Sequence, residues 1–149
     1  MRNVKLERTL DVARSSVWAV LADYPNIADW NHGLKNSYAI GDATEGVGAQ
    51  RKTELDPRGA MRETVVEWVP EEKMTIAIDQ IEKMPVKQAT MTFTLSGDEE
   101  TVVGMSYEYE PSGGPMGSIF GPILDRQMHK GFNGFIDYLE SAAKAEATG

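Results

Sequence analysis

Lys52 and Glu63 are the first residues to consider for chemistry, because a short turn between them would bring an amine and a carboxylate face to face. With Asp56-Pro57-Arg58-Gly59 as the turn of a hairpin, Leu55 faces Ala60, Glu54 faces Met61, and Lys52 faces Glu63. Side chains alternate along a strand, so Gln50, Lys52, Glu54, Met61, Glu63 and Val65 share one face. Arg51, Thr53, Arg62 and Thr64 share the other, which suits water and leaves the first set to point inward. A Lys52–Glu63 pair facing a cavity could orient a carbonyl or hydroxyl, or shuttle a proton. The plainer reading is a cross-strand ion pair at a sheet rim, contributing about 0–1 kcal/mol. A slip of one residue in the register would reverse both faces.

Other side chains offer less specific chemistry. His32 follows Trp30-Asn31, and His129 lies in a C-terminal helical pattern, one position past Met128. Histidine titrates near neutrality, but two isolated histidines without carboxylates or thiolates at ligand spacing make no metal site; both read as surface or boundary residues. No metal and no cofactor is therefore expected. Among the aromatic residues, Trp18, Trp68 and Phe93 are most simply core, whereas Trp30, Tyr38, Tyr107 and Tyr109 can also be read as a ligand cage. A buried tyrosine hydroxyl needs a partner, and a ligand can supply it at Tyr107 or Tyr109. Gly131 and Gly134 interrupt the helical pattern, either to leave room for a ligand or to allow close packing. Gly117-Ser118-Ile119-Phe120-Gly121 is not a nucleophile elbow, and Gly46-Val47-Gly48 lacks the third glycine of a dinucleotide fingerprint.

The elements that must position these residues follow from periodicity. Val4, Leu6, Arg8 and Leu10 alternate with Lys5, Glu7 and Thr9, predicting a strand over Asn3–Leu10. Two short helices follow, Arg14–Ala22 and Pro25–Trp30, separated because proline is tolerated only in a helix's first turn. Six strand-like runs come next: Asn36–Ile40, Val47–Leu55, Ala60–Val69, Lys73–Ile81, Lys87–Ser96 and Glu100–Glu110. Their connections are short, so successive strands pair antiparallel. Pro111–Gly121 reads as an irregular glycine-rich loop, a lid or a passive connector. A helix then runs from Pro122 to about Ala145, with Leu124, Met128, Phe132, Phe135 and Leu139 on one stripe.

A curved sheet with one apolar face has only this helix to cover it. Met91, Phe93 and Leu95 on one strand, and Met105, Tyr107 and Tyr109 on the next, should face the helix stripe. Closing a curved sheet on a straight helix tends to leave a cavity. The chain is 149 residues long, which fits one domain over 1–149, and its net charge of −8 disfavours nucleic acid. Its acidic residues are scattered rather than gathered in a tail, and the mixed cluster Arg51, Lys52, Arg58 and Arg62 is interleaved with carboxylates. Without cysteine there are no disulfides or thiol nucleophiles, which fits a reducing cytoplasm. No apolar run is long enough for a membrane helix or a secretion signal.

Several segments carry a resemblance. Val17-Trp18-Ala19-Val20-Leu21-Ala22-Asp23-Tyr24-Pro25 with Trp30-Asn31 resembles the first-helix signature of the Bet v 1-like, START-related (SRPBCC) superfamily, in its polyketide cyclase/dehydrase and lipid-transport group. Gly46-Val47-Gly48-Ala49-Gln50-Arg51, Arg62-Glu63-Thr64-Val65, Glu67-Trp68 and Phe135-Ile136-Asp137-Tyr138-Leu139-Glu140 fit later elements of that group. The resemblance implies an α+β helix-grip fold: a curved seven-stranded antiparallel sheet around a long C-terminal helix, with two short helices after the first strand. It also implies that Glu63 points inward.

The expected function is binding, as carrier or sensor, of a small hydrophobic molecule such as a lipid, polyketide-like or isoprenoid compound. Gln50, Lys52, Glu63, Val65, Met91, Phe93 and Met105 would line the site from the sheet. Met128, Gly131, Phe132 and Phe135 would line it from the helix, and Trp30, His32, Tyr38, Tyr107 and Tyr109 would complete it. Glu63, Lys52 and Tyr107 are the candidates for proton transfer should the protein be a cofactor-independent cyclase, dehydratase or isomerase instead. A third reading, a protein-interaction module like the superfamily's chaperone activators, would need a large exposed apolar patch. The protein is expected as a monomer or homodimer.

Overall fold

The computed structural model describes residues 1–148. Its strands are β1 (Arg2–Leu10), β2 (Leu34–Ile40), β3 (Gln50–Leu55), β4 (Ala60–Val69), β5 (Lys73–Glu82), β6 (Val86–Gly97) and β7 (Thr101–Pro111). They form one antiparallel sheet in the order β1-β7-β6-β5-β4-β3-β2. Helix α1 (Arg14–Ala22) and a 3-10 segment (Tyr24–Asp29) separate β1 from β2. The break falls where Pro25 enters, since its ring fits only the opening turn of the second segment. Regular strand β3 begins at Gln50 rather than Val47: Gly46 and Gly48 adopt φ of +80° and +95°, and Gly48 and Ala49 meet Val65 of β4 through an irregular, bulge-like pair of bonds, each 2.9 Å.

The last helix, α3, runs Gly121–Thr148, with Ile136, Leu139 and Ala143 buried along the expected stripe. The segment before it is not wholly irregular: Pro115–Ile119 forms a short helix, α2. Leu10, Val17, Met74, Ile76, Val103, Tyr109, Ile136 and Leu139 form part of one core between sheet and helix. Met91, Phe93, Leu95, Met105, Tyr107 and Tyr109 are all buried on the inner face, as their alternation predicts.

The antiparallel path sends alternate connections to opposite ends. At one end lie 30–33, 56–59, 83–85 and 112–114, joined by hydrogen bonds from Asp56 N to Gly33 O (3.2 Å) and from Ser112 N to Pro85 O (3.0 Å). At the other end lie 11–13, 41–49, 70–72 and 98–100.

Candidate functional site

The register between β3 and β4 decides what faces the interior. Arg51 pairs with Glu63, Lys52 with Arg62, and Glu54 with Ala60. This is one residue away from the register expected from a four-residue turn. The extra residue is accommodated by Gly59, at φ +115°, with Leu55 N donating to Gly59 O at 2.8 Å. Strand β4 keeps its expected faces, and β3 is reversed. Glu63 does point inward, but its partner is Arg51, not Lys52. Lys52 lies on the outer face, 3.5 Å from Glu82, and Gln50 donates to Thr64 on that same face at 2.9 Å. Arg51 and Thr53 face the interior rather than water, because Glu63 satisfies both of them there.

Around Glu63 a buried polar network closes on itself. Arg51 Nη2 donates to Glu63 Oε1 at 2.9 Å, and Thr53 Oγ1 donates to Glu63 Oε2 at 2.7 Å. Arg51 Nη1 donates to the Tyr24 carbonyl at 2.8 Å, and its guanidinium lies 3.9 Å from the Tyr24 ring centroid. Tyr24 Oη donates in turn to the Glu63 carbonyl at 2.9 Å. Arg51 and Glu63 are 4% and 8% exposed, so the pair is shielded from solvent and depends on these bonds for compensation. Arg51 Nε and Trp30 Nε1 are buried without a partner among the described residues.

The network forms one wall of a cavity of about 200 Å³ between the sheet and α3. Arg51, Thr53, Glu63, Tyr107 and Asn31 supply its polar atoms. The rest is apolar: Ile76, Ile78, Met91 and Phe93 from the sheet, and Met128, Phe132 and Phe135 from α3. Leu55, Met61 and Met84 line it toward the end that holds connections 56–59 and 83–85. Burial, reinforced by the nearby Glu63 charge, holds the Tyr107 phenol well above the ordinary tyrosine range, so it faces the cavity protonated, as a donor. Phe93 stacks on Phe135 at 5.5 Å, and Tyr107 tilts against Phe132 at 4.9 Å, so the aromatic lining is held in place by its own contacts.

Glu63, Met91, Phe93, Tyr107, Met128, Phe132 and Phe135 thus come together as the sequence suggests. The other expected site residues do not line the cavity. Val65 and Met105 are buried in the core, and Trp30 packs edge-on behind Phe135. Tyr109 spends its hydroxyl on Asp125 at 2.6 Å; burial and that bond raise its phenol to about 12. His32 is exposed against Tyr138, and Tyr38 is exposed on the outer face. Gly131 faces solvent, and a Cβ added there would meet nothing within 4 Å, so it makes no room for a ligand. Arg51 and Thr53 were missed. An Arg-x-Thr step opposite an inward glutamate, with Gly59 lengthening the turn, is the sequence signal for them.

The family model described as "Polyketide cyclase / dehydrase and lipid transport" matches residues 1–144. No curated protein matches the chain by sequence. Among solved structures, a START superfamily protein from Mycobacterium smegmatis superposes with a TM-score of 0.80 at 12% identity, covering 96% of this chain and 97% of that one. The Zhui aromatase/cyclase from Streptomyces sp. R1128 gives 0.81 at 13% identity, over 98% and 95%. Ara h 8.0201 gives 0.71 at 10% identity, over 97% and 98%. At these identities the likeness is one of fold: START and Bet v 1-like, a curved sheet gripping a long helix.

Proposed function

The chain belongs to the polyketide cyclase/dehydrase and lipid-transport family, and from that premise we propose that it reversibly binds a small apolar molecule carrying one hydrogen-bonding group. The observation behind this is the cavity itself, apolar on most sides and polar on one, where Tyr107 presents a protonated hydroxyl beside the Arg51–Glu63 pair. Burial of the apolar body supplies most of the affinity, roughly 25 cal/mol per Å² before ordering costs. A carbonyl or hydroxyl on the ligand would accept from Tyr107, fixing which end enters first.

The same wall favours binding over catalysis. A general base must aim a lone pair at the reacting proton, and the Glu63 carboxylate is held in the wall by a guanidinium on one oxygen and a hydroxyl on the other, which ties its orientation to the protein rather than to a substrate. Tyr107, held protonated, could serve as an acid or an oxyanion donor but not as a base near neutral pH. Thermal-shift titration with a panel of lipids, isoprenoids and aromatic polyketide-like compounds tests the reading. A saturable rise in melting temperature, reduced in Tyr107→Phe, supports it; conversion of a ligand into a new product would instead favour the cyclase alternative.

A further inference from the structure

Charge and apolar surface are distributed unevenly between the two ends of the molecule. The connections at the end away from the cavity's Met84 side, 11–13, 41–49, 70–72 and 98–100, hold Asp11, Asp42, Glu45, Glu71, Glu72, Asp98, Glu99 and Glu100, and no lysine or arginine. The opposite end is different. There Met116, Ile119, Phe120 and Ile123 are 58%, 65%, 49% and 51% exposed, adjacent in sequence across α2 and the first turn of α3. Ile123, Arg126, Gln127 and Lys130 follow helical spacing on one exposed face of α3, turned away from cavity-lining Met128. Arg58 and Lys83 lie in the neighbouring connections, which hold one carboxylate, Asp56, and they share a shallow depression with Lys35, Glu54 and Glu82. Among the described residues, none of Arg58, Lys83, Arg126 and Lys130 has a carboxylate within ion-pair distance.

An exposed apolar cluster fringed by unpaired cations, on a protein that is acidic overall, is matched to a surface that is apolar within and anionic outside. We propose that this end docks on a lipid bilayer carrying anionic headgroups, with Met116, Ile119, Phe120 and Ile123 entering the headgroup–acyl boundary. Arg58, Lys83, Arg126 and Lys130 would meet the headgroups, and the eight far-end carboxylates would be repelled from them, which orients the protein. In that orientation the cavity wall at Leu55 and Met84 turns toward the bilayer. The proposal does not depend on what the cavity holds. A second copy of the chain is the less favoured occupant, because two copies meeting by this end would bring like cationic fringes together.

Flotation of the full chain with vesicles of 70:30 phosphatidylcholine:phosphatidylglycerol, against pure phosphatidylcholine, tests it. The expected result is binding to the anionic vesicles that weakens with salt. Arg126→Gln/Lys130→Gln should weaken it about thirtyfold. Ile119→Asp/Phe120→Asp should abolish it with circular dichroism and melting temperature unchanged, since both side chains are exposed. No binding to anionic vesicles, or binding indifferent to both double variants, overturns the proposal. So does a dimer in light scattering that Ile119→Asp/Phe120→Asp converts to monomer, which assigns the surface to a second copy.

Discussion

Glu63 sits where stability and recognition meet on one side chain. Its carboxylate compensates the buried Arg51 guanidinium, accepts from Thr53, and forms the cavity wall beside Tyr107. Truncating one partner of a buried pair leaves the other charge uncompensated, so Glu63→Ala should destabilise the protein by about 3–5 kcal/mol in urea unfolding. Lys52→Ala should change stability by less than about 1 kcal/mol, since its contact with Glu82 is at the surface. Equal costs for the two would refute the register. Tyr107→Phe removes only a hydroxyl, so affinity should fall about three- to tenfold, measured by calorimetry, with little change in stability. At this scale the sequence disclosed the inward glutamate and the aromatic lining. It hid Arg51, because alternation fixes which residues share a face but not the register between neighbouring strands; Gly59 shifts that register by one.

Among the elements, β1 and α3 are tied at the cavity's Met84 end by one contact set. Arg2 bonds Asp125 bidentately, and Tyr109 donates to the same carboxylate. The Arg2 bond, and secondarily that of Tyr109, holds the Asp125 carboxyl below the ordinary aspartate range against the opposing effect of burial. A depressed folded-state pKa contributes stability that is present above the unfolded value, about 3.9, and is lost as pH falls through the lower folded value. Wild type should therefore lose more stability than Arg2→Gln between pH 5 and the acid limb below about pH 3, read from melting temperature against pH. Gly131 belongs to this scale as well. With solvent where a Cβ would go, Gly131→Ala should raise stability by about 0.5–1 kcal/mol and leave ligand affinity unchanged. A loss of affinity there would restore the ligand-room reading. The antiparallel pairing of successive strands and, β3 excepted, their faces were legible because alternation and turn residues are local signals. Helix α2 was not, since Gly113, Gly114 and Gly117 give a helix-breaking composition that masks a single short turn.

For the whole molecule, folding turns a scattered composition into a polarised one. Along the chain the carboxylates look evenly spread, yet antiparallel topology gathers eight of them into one set of connections and leaves the cation-fringed apolar surface at the other end. The outer strand faces are mostly polar, exposed apolar side chains such as Tyr38, Val47, Val66 and Val69 are scattered, and the run of them close in sequence lies on α2 and the start of α3. The cavity follows from the same topology: a curved sheet closes on α3, and the side chains between them leave about 200 Å³ unfilled.

Native mass spectrometry of the purified protein tests that cavity most directly, comparing wild type with Met128→Trp, which places an indole in it. The expected result is a co-purifying or added apolar compound, bound one to one by wild type and lost in Met128→Trp while the melting temperature is maintained. A bare mass for both proteins, with no compound of the apolar panel retained by wild type, would contradict it.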